Sequence, residues 1–216
     1  MELSNDFKKV LKIIEKYKPL INPMTFIDAE EFVRRFKITI KKLNEAGFKL
    51  GFVFSDEHYC GDVPYFGGNT NVSIEQVAGI IGKTGFHIIA GLEGGYVAEQ
   101  LSPRSGAKVH KVEMLQLADE KYPIRAEKLE EVLEDTAGEP LTYIKKIALL
   151  TPRQVIPSSI IEYLEKIFGK ENVIDAQEIL YKIKYLKSDI EMKLIKDACI
   201  IATATMRGML AVLKPG

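Results

Sequence analysis

The sequence of 216 residues has no excess of charge of either sign and few cysteines. Lys plus Arg and Asp plus Glu each number 30, so the formal net charge is zero. A dedicated nucleic-acid-binding protein normally carries a basic excess, and we therefore expect no nucleic-acid partner. The two cysteines, Cys60 and Cys199, lie far apart in unlike contexts. This usage predicts reduced thiols in a cytoplasmic protein rather than a disulfide framework.

Long apolar runs are also missing. No stretch approaches the eighteen or so uncharged apolar residues of a membrane span, so we expect no membrane partner. The first residues, MELSNDFKKVLKIIEKYK, have the pattern of a charged amphipathic helix and lack the apolar region of a signal peptide. Both features favour a cytoplasmic location.

Recognisable catalytic motifs are a third absence. The sequence contains no G-x-S-x-G, no Walker loop, no H-E-x-x-H and no C-x-x-C. No group of residues supplies a nucleophile, a base and an orienting group together. We therefore expect no catalytic residue, no metal ligand set and no cofactor within these 216 residues.

What the sequence does have is an alternation of strand-like and helix-like segments between Leu50 and Asp175. This alternation predicts an α/β fold, with a sheet of about six strands and helices on both faces. The apolar runs QVAGII and FHIIAG flank a Gly-containing turn, which predicts a β-hairpin and therefore a mixed sheet. Asp28 is predicted to cap the helix before the first strand, and Gly47 to follow its end.

The pattern changes after Asp175. The stretch AQEILYKIKYLK has no evident strand partner and is interpreted as a connector, and Ser188 with Glu191 forms a predicted capping box. A predicted helix follows, with an apolar stripe at three- and four-residue spacing, formed by Leu194, Ile195, Ala198, Ala202, Met206, Met209 and Leu213.

The predicted organisation is therefore an α/β domain over 1–175, a linker over 176–187, and a helix over 188–216 that opens a truncated second domain. Removal of the residues after about Asp175 is expected to leave the sheet domain folded. The apolar stripe of the last helix is expected to pack against a neighbouring copy or to project without a partner.

Two segments superficially suggest ligand sites. FHIIAGLEGGYVAEQ is similar to a dinucleotide-binding turn, but its glycines depart from the G-x-G-x-x-G order and Glu93 would repel a phosphate. A plain tight turn is predicted.

In HKVE, His110 and Glu113 are three residues apart on a strand and point to opposite faces, so joint metal ligation is not expected. His87 lies in an apolar strand and is predicted to be a core or edge histidine.

The segment SDEHYCGDVPYFGGNTNVS is predicted to be a long polar loop at the carboxyl end of the first strand, where sites form in open α/β sheets. Its potential ligands are adjacent rather than spaced for one coordination sphere, so no self-contained metal site is expected. These potential ligands are Asp56, Glu57, His58, Cys60 and Asp62.

YKIKYLKSDIEMKLIKDACIIATATMRGMLAVLKPG resembles the domain junction of the creatinase / Xaa-Pro aminopeptidase / prolidase family. Members join their domains by R-x-I-K-S-x-x-E-I-x-x-I-R-x-A, followed by a long helix that ends in K-P-G. The residues that fit this pattern are Lys184, Lys187, Ser188, Glu191, Lys196, Ala198, Lys214, Pro215 and Gly216, with Lys at 184 and 196 where Arg is usual. FVRRFKITIKKLNEAGFKLGFVF is similar to the family's first helix and strand, and VPYFGGNT stands where members have Tyr-x-x-Gly.

The resemblance implies a small α/β N-terminal domain followed by a larger pita-bread catalytic domain. In the family, the larger domain holds two divalent ions (Mn, Co or Zn) on Asp, Asp, His, Glu and Glu, and these ligands would lie beyond Gly216. The chain is then expected to be the non-catalytic N-terminal part of a metal-dependent Xaa-Pro aminopeptidase or dipeptidase. By itself it is expected to be inactive.

The resemblance also implies a homodimer and a proline-containing peptide as substrate, because the family's N-terminal domain helps build the dimer and borders the partner's active site. On this basis His58, Tyr65 and Asn69 are candidate substrate-binding residues, since their side chains can hydrogen-bond a peptide's polar ends. Glycines in the same loop, at 61, 67 and 68, would let it bend toward another chain.

Two alternatives remain open from the sequence. The first is a stand-alone α/β module that binds a small molecule near Asp56 and Gly91, with the last helix as a dimerisation arm. The second is the N-terminal domain of a creatinase-like amidinohydrolase. An open reading frame that continues past Gly216 would favour the peptidase interpretation over the stand-alone module.

Overall fold

The computed structural model describes residues 4–68, 76–116 and 126–214. The chain divides into two compact units, one made of Met1–Ile27 with Lys187–Gly216 and the other of Asp28–Leu186. This division differs from the predicted domains of 1–175 and 188–216 with a linker over 176–187. The first 27 residues group with the last helix instead of with the sheet.

The larger unit contains a six-stranded sheet of order β4-β3-β2-β1-β5-β6. The strands are β1 (Gly51–Ser55), β2 (Val77–Gly82), β3 (Gly85–Ala90), β4 (Lys108–Lys111), β5 (Ile147–Leu149) and β6 (Val173–Asp175). Strand β2 pairs antiparallel with both β1 and β3, and the three remaining pairings are parallel. The predicted mixed sheet and its hairpin are therefore confirmed.

Eight α-helices lie in the described ranges. They are α1 (Asn5–Tyr17), α2 (Ala29–Glu45), α3 (Asp62–Gly67), α4 (Leu92–Leu101), α5 (Leu129–Ala137), α6 (Ser158–Phe168), α7 (Gln177–Tyr185) and α8 (Asp189–Val212). The Asp28 carboxylate accepts a bond from the Glu31 backbone N–H at the start of α2, as predicted. Gly47 follows the end of α2 at φ 76°, a conformation that glycine adopts without strain.

Helices cover both faces of the sheet. Because neighbouring side chains of a strand point to opposite faces, Phe52 and Phe54 pack with α5 and α6, and Val53 packs with α2, α3, α4 and α7. Each face thus has its own apolar layer, and the predicted α/β architecture with two covered faces is confirmed.

Two segments predicted to be irregular contain helices. The segment after β1 includes α3, whose Val63 and Phe66 are buried against the sheet. The connector predicted after Asp175 includes α7, whose Leu180 is fully buried and whose Ile183 is 6% exposed. In both cases burial of apolar side chains stabilises a helix that lacks strong local start signals.

The smaller unit pairs α1 with α8. Asp6 near the start of α1 bonds Lys214 just past the end of α8, so the two helices run in opposite directions. The predicted capping box at the start of α8 is confirmed, since the Ser188 hydroxyl accepts from the Glu191 backbone and the Glu191 carboxylate accepts from the Ser188 backbone.

The stripe of α8 that lies on α1 is not the predicted one. An apolar groove of about 490 Å³ between the two helices is lined on the α8 side by residues that include Ile200, Ala204, Gly208 and Val212. Of the predicted stripe, Met206 and Leu213 stay exposed and Met209 lies at the edge of the groove. The helix is apolar on two sides, and most of the predicted stripe is exposed and lies away from α1, without a partner in the described residues.

Within the described ranges, none of the helices reaches the length and apolar content that crossing a lipid bilayer requires.

Candidate functional site

The segment after β1 is held to the sheet through its backbone. The buried Ser55 hydroxyl accepts hydrogen bonds from the backbone N–H groups of Asp62 and Val63, at 3.2 and 3.0 Å. One carboxylate oxygen of Asp56 accepts bonds from the N–H groups of His58 and Tyr59, at 2.8 and 2.7 Å. These bonds fix a short turn over 56–61 that leads from the strand into α3.

Asp62 is the buried centre of this region, with no exposed surface. Its carboxylate accepts a 2.7 Å bond from the Thr151 hydroxyl and a 2.6 Å bond from the Lys184 ammonium. Thr151 follows β5 and Lys184 lies on α7, so the carboxylate joins the carboxyl ends of two adjacent parallel strands to a helix. The cluster is a structural anchor for the turn above it.

The phenol of Tyr59 extends from the same turn. Partial burial, followed by the negative charge of Asp62, raises the pKa of this phenol above its usual value. Tyr59 therefore stays neutral at physiological pH and acts as a hydrogen-bonding group.

The three predicted substrate-binding residues are in different situations. The His58 side chain is 84% exposed and lies 3.6 Å from the Glu57 carboxylate. Tyr65 is 8% exposed in the apolar core, where the Arg35 guanidinium lies over its ring and donates to its backbone oxygen. Asn69 lies outside the described residues. The structure therefore places His58 at the surface and Tyr65 in the apolar core as a packing residue.

The glycine-rich segment near Gly91 is the start of a helix. Gly91 immediately precedes α4, and Gly94 and Gly95 lie inside the helix with Glu93 in its first turn. The Gly95 backbone lies so close to Lys111 that an added Cβ would come within 2.5 Å of that side chain. Gly95 therefore allows close packing of α4 on β4.

A second polar cluster lies at the β4 edge of the sheet and contains the other two histidines. His87 on β3 and His110 on β4 face the same layer as α5, and the His87 Nδ1 atom is 2.9 Å from the His110 Nε2 atom. One carboxylate oxygen of Asp135 on α5 lies 3.6 Å from His87 Nδ1 and 3.8 Å from His110 Nε2. The rings are nearly parallel, at an interplanar angle of 8°.

The outward ring nitrogens of this pair also have partners. His110 Nδ1 lies 2.8 Å from a Glu127 carboxylate oxygen, and His87 Nε2 lies 3.0 Å from the Thr84 hydroxyl. That hydroxyl is within 2.9 Å of the Asp135 backbone oxygen and 3.1 Å of the Thr136 backbone oxygen. A continuous hydrogen-bonded row therefore runs from α5 through both rings to Glu127.

Burial and charge set the protonation of this cluster. His87 is 1% exposed, and its burial, followed by the neighbouring His110 charge, lowers the pKa of His87 to about 4. A hydrogen bond from Lys108 lowers the pKa of the Asp135 carboxyl below its usual value. At neutral pH the cluster thus offers a neutral imidazole beside a carboxylate.

The sequence-based interpretation did not group the members of this cluster. His87 was predicted to be a core or edge histidine, and it is buried; His110 was considered only with Glu113, and Asp135 was not singled out. The available signal was that His87 and His110 each occupy an inward position of a strand. Their proximity depends on the β3–β4 register, which pairs Ile89 with His110.

The fold of this chain is shared by prolidases and Xaa-Pro dipeptidases, as the resemblance of its sequence predicted. It is similar to the crystal structure of the prolidase from Pyrococcus horikoshii OT3, at 17% identity and a TM-score of 0.57. It is also similar to the Xaa-Pro dipeptidase from Bacillus anthracis, at 17% identity and a TM-score of 0.59, and to the prolidase from Pyrococcus furiosus, at 14% and 0.57.

These matches include most of this chain and less than half of each neighbour. They cover 85%, 86% and 83% of this chain, but 44%, 44% and 47% of the P. horikoshii, B. anthracis and P. furiosus chains. No protein-family model and no curated protein matches the chain. At these identities the similarity establishes the fold.

Proposed function

We propose that this chain is the N-terminal, non-catalytic part of a metal-dependent Xaa-Pro peptidase of the aminopeptidase P or prolidase type. The observation that carries the proposal is the fold similarity, which extends over 85% of this chain and 44% of the P. horikoshii prolidase. In this proposal, bond cleavage takes place in a further domain, which binds two divalent ions of Mn, Co or Zn. Neighbours described as prolidase and Xaa-Pro dipeptidase favour cleavage of proline-containing peptides over creatinase-like amidine hydrolysis.

The contribution of this chain to substrate access is assigned to the turn over 56–61. Its backbone is tied down by Ser55 and Asp56, whereas the His58 ring is exposed. A turn with a fixed backbone and one exposed imidazole is suited to contact a peptide bound by a partner subunit, because the backbone loses little conformational entropy on binding. Tyr65 is a buried residue of α3 that packs in the apolar core, and Asn69 remains a proposed contact in the same segment.

The contribution to oligomerisation is assigned to α8. Its exposed apolar side chains include Met192, Met206, Leu210 and Leu213, which are 53–75% exposed. A row of large exposed apolar residues on one helix typically marks an interaction surface. We assign this surface to the further domain and to the homodimer that the full-length enzyme forms.

The proposed location is the cytoplasm. It is supported by Cys60 and Cys199, which are both free and exposed thiols. Exposed unpaired cysteines are suited to a reducing compartment.

The test begins with the gene. The reading frame is expected to continue past the codon of Gly216 into a domain with the Asp, Asp, His, Glu, Glu ligand set. The full-length protein, loaded with Mn²⁺ or Co²⁺, is expected to cleave a Xaa-Pro dipeptide and to leave the Xaa-Ala analogue intact. A frame that stops at Gly216, together with saturable small-molecule binding near Asp56 and Gly91, would support a stand-alone binding module instead.

The role of the turn is tested separately by His58→Ala in the full-length enzyme. Loss of one hydrogen bond to substrate costs about 1–3 kcal/mol, or roughly tenfold or more in kcat/KM. The matched control is Lys83→Ala, which removes an exposed side chain at the tip of the β2–β3 hairpin. Equal kcat/KM values for His58→Ala and the control would remove the turn from the proposal without affecting the peptidase assignment.

A further inference from the structure

The two histidines and Asp135 have the spacing of ligands that share one metal ion. The distances among His87 Nδ1, His110 Nε2 and the nearer Asp135 oxygen are 2.9, 3.6 and 3.8 Å. A point equidistant from the three atoms is about 2.0 Å from each, which is close to the bond lengths of about 2.0–2.2 Å that Zn²⁺ makes with imidazole nitrogen and carboxylate oxygen. The three atoms also form a group within 4.8 Å of one another.

The hydrogen bonds on the outer side of each ring determine where the ring lone pairs point. Glu127 can only accept, so His110 Nδ1 donates to it and His110 Nε2 keeps its lone pair. When the Thr84 hydroxyl donates to one of its two backbone oxygens, it accepts from His87 Nε2, and His87 Nδ1 keeps its lone pair. Two lone pairs then face each other at 2.9 Å.

In this tautomer, a positive charge between the two nitrogens, either a shared proton or a metal ion, relieves the repulsion of the lone pairs. The outer partners favour the metal ion, because metal-binding histidines usually donate their other N–H to a carboxylate, carbonyl or similar oxygen that fixes the ring. Here both rings have that support, from Glu127 for one and Thr84 for the other. The nearby carboxylate of Asp135 can supply a third ligand. Its negative charge would help to balance a divalent ion, whereas a shared proton between the two rings would not need it.

We propose that His87, His110 and Asp135 bind one divalent transition-metal ion of the zinc type at the β4 edge of the sheet. Two imidazole nitrogens and one carboxylate oxygen are ligands that suit Zn²⁺ and Co²⁺ better than Mg²⁺ or Ca²⁺. Three protein ligands leave a fourth position for water or an exchangeable ligand. The proposal departs from the expectation that no metal binds within these residues, which considered the histidines one at a time.

Lys108 is the competitor for this site. Its ammonium lies 2.9 Å from the Asp135 oxygen that would bind the ion, but its side chain is 59% exposed and can turn into solvent. Removal of its charge should therefore strengthen metal binding. The ion would join β3, β4 and α5 at the β4 edge of the sheet. Each of the three ligands comes from a different one of these elements.

The experiment uses the 216-residue chain after treatment with a chelator and removal of the chelator. Titration with Co²⁺ is expected to give one saturable site with the visible absorption of a four-coordinate cobalt ion, which Zn²⁺ displaces. Binding of Zn²⁺ is expected to raise Tm, because a ligand that binds only the folded state stabilises it. Absence of a saturable one-to-one site at micromolar Co²⁺ or Zn²⁺ would show that the pair holds only a proton, and the proposal would be overturned.

Variants identify the ligands. Asp135→Asn and His110→Ala are expected to weaken binding at least tenfold, and Lys108→Met is expected to strengthen it. His58→Ala is the matched control, since it removes the third histidine of the chain without touching the cluster, and it is expected to bind as the unaltered chain does. Because Asp135 is 40% exposed, its variant is expected to fold even if the His110 variant does not. Metal binding that survives Asp135→Asn unchanged, or that is lost in His58→Ala, would contradict the assignment.

Discussion

Asp62 and Lys184 form a 2.6 Å ion pair across 122 residues of chain, with the carboxylate completely buried and the ammonium side chain 29% exposed. The pair fastens α7 to the turn that follows β1. Lys184 is also one of the residues through which the sequence resembles the prolidase-type domain junction. In this chain its side chain has a direct structural role in the sheet unit.

The first prediction concerns this pair. Lys184→Met is expected to lower the free energy of unfolding by about 3 kcal/mol, because it leaves a buried carboxylate with one fewer compensating partner. Asp62→Asn is expected to cost less, since an amide can still bond Thr151. The two changes together should cost less than their sum, because they act on one interaction. Urea unfolding of the three variants measures these values.

Lys49→Met is the control for this prediction. Lys49 makes an equally short ion pair with Glu139, at 2.6 Å, but its side chain is 51% exposed. An exposed pair is typically worth about 0–1 kcal/mol. A loss in Lys184→Met no larger than the loss in Lys49→Met would show that the buried pair does not anchor α7.

Much of the α/β architecture could be predicted because its signals are local. The β2–β3 hairpin follows from two apolar runs around a short turn, and the start of α2 follows from Asp28. Helix α3 was missed because Asp62, Pro64 and two glycines suggest a loop, whereas burial of Val63, Tyr65 and Phe66 stabilises a helix. That burial depends on the sheet, which local sequence does not describe.

The second prediction concerns Glu31, whose carboxylate accepts two bonds from Arg34 and one from Arg35, at 2.7–2.9 Å. The Arg34 bonds, with Arg35 adding to them, lower the pKa of Glu31 from 4.5 to about 2. A pKa that is lower in the folded state gives stability that is fully present above pH 4.5 and is lost as pH falls toward 2. Since Arg34 is 42% exposed, we expect roughly 2 kcal/mol.

Glu31→Gln should therefore be less stable than the unaltered chain at pH 7, and the difference should shrink between pH 4.5 and pH 2. Urea unfolding at pH 7, 4 and 2.5 measures this dependence. Glu30→Gln is the matched control, because Glu30 lies in the same first turn of α2 and is exposed. A pH dependence that is the same in both variants would contradict the assigned role of Glu31.

The third prediction concerns the boundary of the sheet unit. The sequence predicted that the unit ends near Asp175, but α7 buries Leu180 and Ile183 and supplies Lys184. A chain of residues 1–186 is expected to keep the sheet unit folded. A chain of residues 1–175 is expected to lose at least about 3 kcal/mol, since each buried aliphatic side chain contributes about 1.5–3 kcal/mol.

Near-ultraviolet circular dichroism and urea unfolding compare the two shortened chains. Equal unfolding midpoints would restore the predicted boundary and make α7 a connector. Helix α7 is hard to recognise from the sequence because it has no capping residue at its start, so its existence depends on contacts with α2 and the sheet.

The candidate sites were predictable to different degrees, because one depends on local sequence and the other on contacts between distant segments. The exposed turn that carries His58 follows a strand end and could be located from the sequence. The histidine pair requires knowledge of which strand lies beside which, and Asp135 reaches it from a helix that begins 19 residues after His110. Grouping of α1 with α8 likewise joins the two ends of the chain, which no local pattern indicates.

The last prediction concerns the side of α8 that faces away from α1. Exposed residues there recur at alternating three- and four-residue spacing, which is the pattern of a helix that packs against another helix. They are Met192, Ile195, Cys199, Ala202 and Met206, with Leu213 seven residues further on, whereas the intervening Met209 borders the groove with α1. The isolated chain is therefore expected to associate with itself as its concentration rises, because association removes these side chains from water.

Met206→Glu places a charge at the middle of this row and is expected to weaken self-association at least tenfold, as measured by sedimentation equilibrium. Lys196→Glu is the control, since it introduces the same side chain on an exposed part of α8 beside the row. If both variants associate as the unaltered chain does, the row is not the contact surface. If Lys196→Glu weakens association as much as Met206→Glu, net charge rather than the apolar row controls association.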